Sequence, residues 1–289
     1  MQLFGLLNLN KPAGITSRRL VDMVQRLDRS VKVGHAGTLD PLATGVVVVG
    51  VGHATRLVEY VQEMPKQYEA AFLLGRSSTT EDIEGAITEL PDAVPPSREA
   101  LEEAARSLSG EIEQRPPAFS ALKVGGRRAY DLARAGETPD LRARMVRVDE
   151  LAITHYEYPE LRVNVKCSGG TYIRSLGRDL AELVGSAGVM SALVRTAVGD
   201  FKLADSLDPE ILTRYNLAEH LLDPRLAVRG IMEELALSAE DQRRVAHGLS
   251  ITLPEVQPDR VAALDDAARL VAVLERRPDG TFKAAKNFA

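Results

Sequence analysis

The sequence predicts a mixed α/β fold, with strands and helices alternating along the chain and short strand candidates toward its C-terminal end. Three observations lead there. Short runs of β-branched residues, residues 46–51 foremost, alternate with stretches whose apolar positions recur at helical spacing. After Asp223-Pro224 the texture shifts to small residues, short strand candidates and the turn Pro278-Asp279-Gly280. A length of 289 residues with 45% apolar positions suits one large unit and a small one. The boundary is expected near 224–230, dividing 1–225 from 226–289.

Taken in order, residues 4–9 read as an apolar strand ended by Asn10-Lys11-Pro12-Ala13-Gly14. Thr16 or Ser17 caps a helix with Leu20, Val21, Val24 and Leu27 on one side. A Gly/Thr/Pro loop fills 34–45, and 46–51 reads as a strand buried on both faces. Helix is expected over 54–61, strand over 67–74, a turn near 82–85 and a Ser97-capped helix stopped by Gly110. Gly125-Gly126 precedes a basic helix over 127–134. Strands follow over 145–156 and 161–167. Thr171 is the expected N-cap of a helix holding Ile173, Leu176, Leu180 and Leu183 on one side. Strand is expected over 189–201, then a helical stretch from Asp208-Pro209.

The composition excludes several classes. No apolar run approaches the ~20 residues of a membrane-spanning helix. The start carries no basic, apolar export pattern, and the single cysteine, Cys167, forms no internal disulfide, so a reducing cytoplasm is expected. Nucleotide-phosphate signatures, metal-ligand His or Cys pairs and a G-x-S-x-G elbow are all missing. What stays open is chemistry by a lone carboxylate. The net charge of −5 argues against a nucleic-acid partner only as an average. Residues 76–114 hold ten acidic and three basic side chains, whereas 115–147 hold eight basic and three acidic. Fields are screened over about 8–10 Å, so a basic face coexists with an acidic total.

Two segments carry the chemical signal. Gly34-His35-Ala36-Gly37-Thr38-Leu39-Asp40-Pro41-Leu42-Ala43-Thr44-Gly45 sets one carboxylate, Asp40, in a tightly turned loop against a buried strand. The plainer reading makes Asp40-Pro41 an Asx-type turn. Cys167-Ser168-Gly169-Gly170-Thr171-Tyr172-Ile173-Arg174 sets a hydroxyl, an aromatic ring and a guanidinium at a helix start. Arg174 suits bidentate pairing with a carboxylate or phosphate.

Both segments resemble signatures of the TruB family of tRNA pseudouridine synthases. So do Lys11-Pro12-Ala13-Gly14-Ile15-Thr16-Ser17, Lys66-Gln67-Tyr68, Arg115-Pro116-Pro117-Ala118-Phe119-Ser120-Ala121-Leu122-Lys123 and Gly125-Gly126-Arg127-Arg128-Ala129-Tyr130. The matches run in order from about residue 4 to 201. The resemblance implies a pseudouridine-synthase fold, with a central mixed, largely antiparallel sheet and a PUA-like C-terminal unit. It implies isomerisation of uridine 55 in the TΨC loop of tRNA, by a monomer without a cofactor. It puts the essential aspartate at Asp40, which attacks C1′ or removes a C2′ proton. Tyr68 takes the position of the tyrosine against the uracil, and Arg174 that of the arginine paired with the aspartate. His35 and Tyr172 take RNA-facing positions. Residues 115–147 match an insertion that folds over the RNA, with Lys123, Arg127 and Arg128 as phosphate contacts. The acidic 76–114 is expected to face away from the RNA. A competing class is a tRNA-binding or tRNA-folding module that keeps the cleft without turnover.

Overall fold

The computed structural model describes residues 3–120, 122–137 and 140–288, without the side chains of Lys123, Val124, Arg128, Ala133 and Arg134. Strand β1 (Gly5–Lys11) leads into helix α1 (Ser17–Leu27), where the Thr16 hydroxyl accepts a hydrogen bond from the Arg19 N–H and Leu20, Val21 and Val24 are buried. β2 (Val33–His35) and β3 (Thr44–Val51) bracket the glycine-rich loop, and β3 is buried from Gly45 onward. The helix expected over 54–61 is two pieces. A 3-10 turn (Gly52–Arg56) closes with the Leu57 N–H on the Ala54 carbonyl, and α2 (Val58–Glu63) restarts from the buried Leu57. β4 (Lys66–Leu74) alternates buried and less buried positions, as a central strand with helices on one side requires.

The hairpin β5 (Arg76–Ser78) and β6 (Ile87–Glu89) encloses the predicted turn, and α3 (Arg98–Ser107) is capped by Ser97. β7 (Gly110–Gln114) precedes the basic stretch, which forms the small hairpin β8 (Lys123–Val124) and β9 (Arg127–Arg128) and then α4 (Ala129–Arg134). That helix starts later than its sequence suggests because Arg127 and Arg128 pair with residues 124 and 123. β10 (Arg144–Glu157) and β11 (Glu160–Cys167) form a long hairpin, followed by α5 (Ile173–Leu183). The strand expected over 189–201 turns at Gly199-Asp200 into β12 (Gly188–Val198) and β13 (Phe201–Lys202). The helix expected from Asp208 is a single 3-10 turn, Pro209–Ile211. Its flanks are extended instead. Leu207 and Leu222 exchange backbone hydrogen bonds with Asn8, Asn10 and Leu6 along β1, an interaction invisible to local spacing.

The main sheet runs β1-β3-β12-β4-β11-β10-β7, with β2 on β3 and β13 on β12. Only the β3–β12 pairing within it is parallel, so the sheet is mixed and largely antiparallel, as predicted. Alternation along its strands feeds two cores. Leu7, Leu9, Val47, Val49, Ala70 and Phe72 face α1, α3 and α5. Leu6, Val46, Val48 and Phe201 face α2 and the small C-terminal sheet through Ala262, Leu264, Leu270 and Val273. That sheet runs β14 (Glu233–Ala236), β15 (Arg260–Leu264), β16 (Leu270–Arg276) and β17 (Phe282–Asn287). Helix α6 (Ala239–Ala246) contributes Val245 to a third core on its far side. Among the described residues no helix is long and apolar enough to cross a membrane.

Helix α5 lies close on the sheet because Gly177 faces Phe72 without a side chain. A Cβ at 177 would sit 1.9 Å from the ring of Phe72, itself 1% exposed. Overpacking of this kind costs about 1–3 kcal/mol and outweighs the ~1 kcal/mol that Ala gains over Gly inside a helix. Gly177→Ala is therefore expected to lower the unfolding free energy in urea titrations, and an unchanged midpoint would contradict this packing.

Candidate active site

The loop carrying Asp40 is held by its backbone. Gly14 N–H donates to the Pro41 carbonyl at 2.8 Å, Leu39 N–H to Ser17 Oγ at 2.8 Å, and Ala43 N–H to the Asp40 carbonyl at 3.1 Å. Lys11, fully buried at the end of β1, donates from Nζ to the carbonyls of Pro12, Ile15 and Pro41 at 3.0, 2.7 and 3.1 Å. The loop re-enters the sheet at Gly45, with φ at +101° and the Arg195 backbone so close that a Cβ would lie 2.3 Å from its carbonyl. Only glycine fits there. With the turn closed by main-chain bonds, the Asp40 carboxylate turns to Arg174.

Arg174 enters from the first turn of α5 and is 6% exposed. It meets Asp40 side-on, Nε to Oδ2 at 2.9 Å and Nη2 to Oδ1 at 3.1 Å. This is the bidentate fork that a guanidinium makes with a carboxylate. Its other donors reach the Thr80 carbonyl at 2.7 Å and the Phe119 carbonyl at 2.9 Å, and Asp82 Oδ2 lies 3.6 Å from Nη1. Burial pushes the Asp40 carboxyl above its usual range and the Asp82 charge adds to that, while Arg174 and Lys11 pull it down.

Asp82 corrects two sequence-based expectations. Asp40 is not a lone carboxylate, and the acidic stretch does not simply face away. The turn between β5 and β6 carries Glu81, Asp82 and Glu84 to the Arg174 side, while α3 keeps Glu102 and Glu103 toward solvent. Asp82 is buried, accepts from the Thr80 hydroxyl at 2.6 Å and from the Glu84 N–H at 3.0 Å, and so shapes its own turn. The sequence marks a turn here, but nothing local says which acid points inward.

Tyr68 lies on β4 opposite Arg195 of β12, and is buried. Burial holds its phenol well above the usual range, opposed by the Arg195 guanidinium beside it. Arg195, which sequence reasoning missed, is 2% exposed and donates to the Val46 carbonyl at 2.7 Å and the Gly37 carbonyl at 3.4 Å. A charged residue in an otherwise apolar strand is its one sequence signal. Half-buried His35 leaves β2 toward the loop, and its Nδ1 is buried with no hydrogen-bond partner among the described residues. Burial lowers its pKa.

Tyr172, not Thr171, is the N-cap of α5, and Leu183 at its end is exposed. Thr171 instead donates its hydroxyl to the Ser168 carbonyl, because the Gly169-Gly170 turn places that acceptor beside it. Gln114 brackets the Tyr172 backbone, accepting from its N–H at 2.8 Å and donating to its carbonyl at 3.0 Å. The Arg144 guanidinium lies 4.9 Å from the Tyr172 ring centre and also donates to the Gly170 carbonyl. Arg127 is exposed and paired with Glu137 at 3.0 Å, a surface contact easily exchanged for another anion. The side chains of Lys123 and Arg128 lie outside the described residues. Among the described residues no three His, Cys, Asp or Glu side chains cluster in a way that could hold a metal ion.

Lys11 carries a testable charge. Desolvation lowers its pKa from 10.5 to about 8, against the opposing pull of Asp40 and Glu84. Between those values the unfolded chain binds a proton that the folded one lacks, so folding stability rises with pH across that window. Urea unfolding of the parent minus that of Lys11→Met is expected to show this rise, and a flat difference curve would overturn it.

The geometry agrees with comparison to known proteins. The family model for the TruB family pseudouridylate synthase N-terminal domain matches residues 25–173. The tRNA pseudouridine synthase B of Thermobifida fusca (strain YX) is 42% identical over 282 residues, covering 94% of each chain. That of Dehalococcoides mccartyi (strain CBDB1) is 39% identical, covering 98% of this chain and 96% of its own. Among solved structures, a chain of a Cbf5-Nop10-Gar1 complex superposes with a TM-score of 0.76 at 24% identity, over 99% of this chain and 85% of that one. An archaeal box H/ACA sRNP Nop10-Cbf5 complex gives 0.74 at 22%, over 99% and 86%. At such identities these two are likenesses of fold. A paired carboxylate and guanidinium on this sheet, with relatives matched along nearly the whole length, leads to one conclusion: the chain belongs to the TruB family of pseudouridylate synthases.

Proposed function

We propose that this protein converts uridine 55 in the TΨC loop of tRNA to pseudouridine, with Asp40 as the reacting carboxylate. The shared name of its relatives, tRNA pseudouridine synthase B, supplies the substrate and the reaction class. The observation that carries the residue assignment is the side-on Arg174–Asp40 pair, which leaves one partly exposed carboxylate fixed in direction and opposed by a cation.

The reaction breaks the N1–C1′ bond and forms a C5–C1′ bond to the same sugar. C5 loses a proton and N1 gains one, so substrate and product are isomers and no electrons are exchanged. An ionised Asp40 serves by attacking C1′ or by taking a C2′ proton. Arg174 favours the ionised form, opposing the burial that raises the carboxyl's pKa. Buried Tyr68 keeps its proton at neutral pH and offers the uracil a ring face and a hydroxyl, backed by Arg195. The target base must leave the folded loop, at about a few kcal/mol of lost stacking. His35 and Tyr172 are assigned to the RNA beside it, and Lys123, Arg127 and Arg128 to its phosphates. On this reading residues 1–225 are the catalytic unit and 226–289 a PUA-like unit.

Two measurements test the reading. Asp40→Asn keeps the shape of the side chain but not its charge. It is expected to abolish pseudouridine formation on a T-arm transcript while holding affinity within about threefold, since the change leaves the RNA-facing surface intact. Undiminished turnover would refute Asp40 as the reacting carboxylate, whereas no turnover in the parent protein would favour the binding-module reading. Replacing Lys123, Arg127 and Arg128 by Gln is expected to weaken tRNA binding and flatten its log–log salt slope by about 2, because three cations that displace counterions from the RNA are removed. An unchanged slope would reject the basic insertion as the phosphate-binding element.

A further inference from the structure

We propose that Glu81 is a positioning residue for Arg174, acting through Arg178 and Ser175; this rests on the reading of Asp40 and Arg174 as the reacting pair. Glu81 has φ at +61°, a left-handed backbone that costs a side chain with a Cβ and persists only where its surroundings dictate it. Here they do so from two sides. Met190 N–H of β12 donates to the Glu81 carbonyl at 3.0 Å, and the Glu81 N–H donates to the Ser78 carbonyl at 3.2 Å. Both carboxylate oxygens are used by α5: Ser175 Oγ donates to Oε2 at 3.0 Å and Arg178 Nη1 to Oε1 at 2.5 Å.

Ser175 and Arg178 stand one and four positions beyond Arg174 on the same helix. Thr80 and Asp82, which flank Glu81, supply the carbonyl and the carboxylate that face Arg174 Nη1. Glu81 therefore ties the 80–82 turn to α5 from one side, and Arg174 uses that turn from the other. Arg178 adds a second tie. Its Nη2 donates to the Arg115 carbonyl at 3.1 Å, four residues before the Phe119 carbonyl that takes Arg174 Nη2. Three of the acceptors that orient Arg174 thus lie on segments fastened by the Glu81–Arg178 pair. Without it, Thr80, Asp82 and Phe119 lose their tie to α5 and keep only those to their own strands and turn, so the frame that aims the guanidinium at Asp40 loosens.

Glycine separates positioning from mere stability, because it removes the side chain and relieves the left-handed strain together. Glu81→Gly is expected to keep or raise the melting temperature and to hold tRNA affinity within about twofold. Its single-turnover rate of pseudouridine formation should fall about tenfold or more, as misplacement of a reacting group does. Glu81→Gln, which keeps the Ser175 bond but not the charge facing Arg178, should fall between the two. A parental rate in Glu81→Gly, or a rate loss matched by a lower melting temperature, would overturn the proposal. If Glu81→Gly does not fold, Arg178→Gln carries the same expectation and the same refutation. Asp40→Asn, assayed alongside, keeps the levels apart. An inert Asp40→Asn beside a fully active Glu81→Gly refutes only the positioning role, whereas an active Asp40→Asn refutes the reacting pair itself.

Discussion

A buried guanidinium must find acceptors for all of its N–H groups, and Arg174 organises this protein by that requirement. Its donors go to both oxygens of Asp40, to the Thr80 carbonyl and to the Phe119 carbonyl, with Asp82 alongside. These acceptors come from three segments separated by dozens of residues: the loop before β3, the β5–β6 turn and the start of the basic insertion. An unpaired buried charge costs several kcal/mol, so each segment is bound to Arg174 by the penalty of leaving it. The demand is also directional. Lysine in its place would present one charged point where a fixed fork makes four directed hydrogen bonds.

Around this centre the strand ends are closed by other buried cations in the same manner. Lys11 caps the carbonyls of Pro12, Ile15 and Pro41; Lys66 caps those of Val61, Gln62 and Met64; Arg195 takes Val46 and Gly37. Lys11 and Lys66 do so where the chain leaves or enters the sheet, at the end of β1 and the start of β4. Lys11 also sets positive charge near Asp40, and Arg195 sets it beside Tyr68. The pair of carboxylates is tolerable because the Arg174 guanidinium lies against both.

What the sequence reveals follows the range of the forces involved. Helix α1, strand β3 and the Ser97 cap are legible because capping and burial patterns act within a few residues. Asp40 and Arg174 are legible through resemblance, since nothing in their spacing of 134 residues predicts a contact. Asp82 and Arg195 escape because what they meet at the site lies far along the chain, Arg174 of α5 for the one and Val46 and Gly37 for the other. Thr171 has the composition of a cap, but Ser168 takes its hydroxyl; Asp208-Pro209 has that of a helix start, but β1 claims the backbone around it. A competing local turn decides the first and long-range backbone hydrogen bonds the second, each against a sound local preference.

The same logic explains why net charge misleads here. Among the acids of residues 76–114, Glu102 and Glu103 lie on a solvated helix, whereas Glu81 and Asp82 of the turn are paired with Arg178 and Arg174. Acids neutralised inside the protein contribute little field outside it, because their partners cancel them within a Debye length. The basic stretch is arranged otherwise. Arg127 meets the exposed Glu137, and Arg144 spends its charge over the Tyr172 ring and on a carbonyl. Neither contact involves a buried counter-charge. The outward potential of this region therefore follows the sum over its residues, whereas that of the acidic region is less negative than its sum suggests. An acidic protein thereby keeps a face fit for a polyanion next to its buried carboxylates.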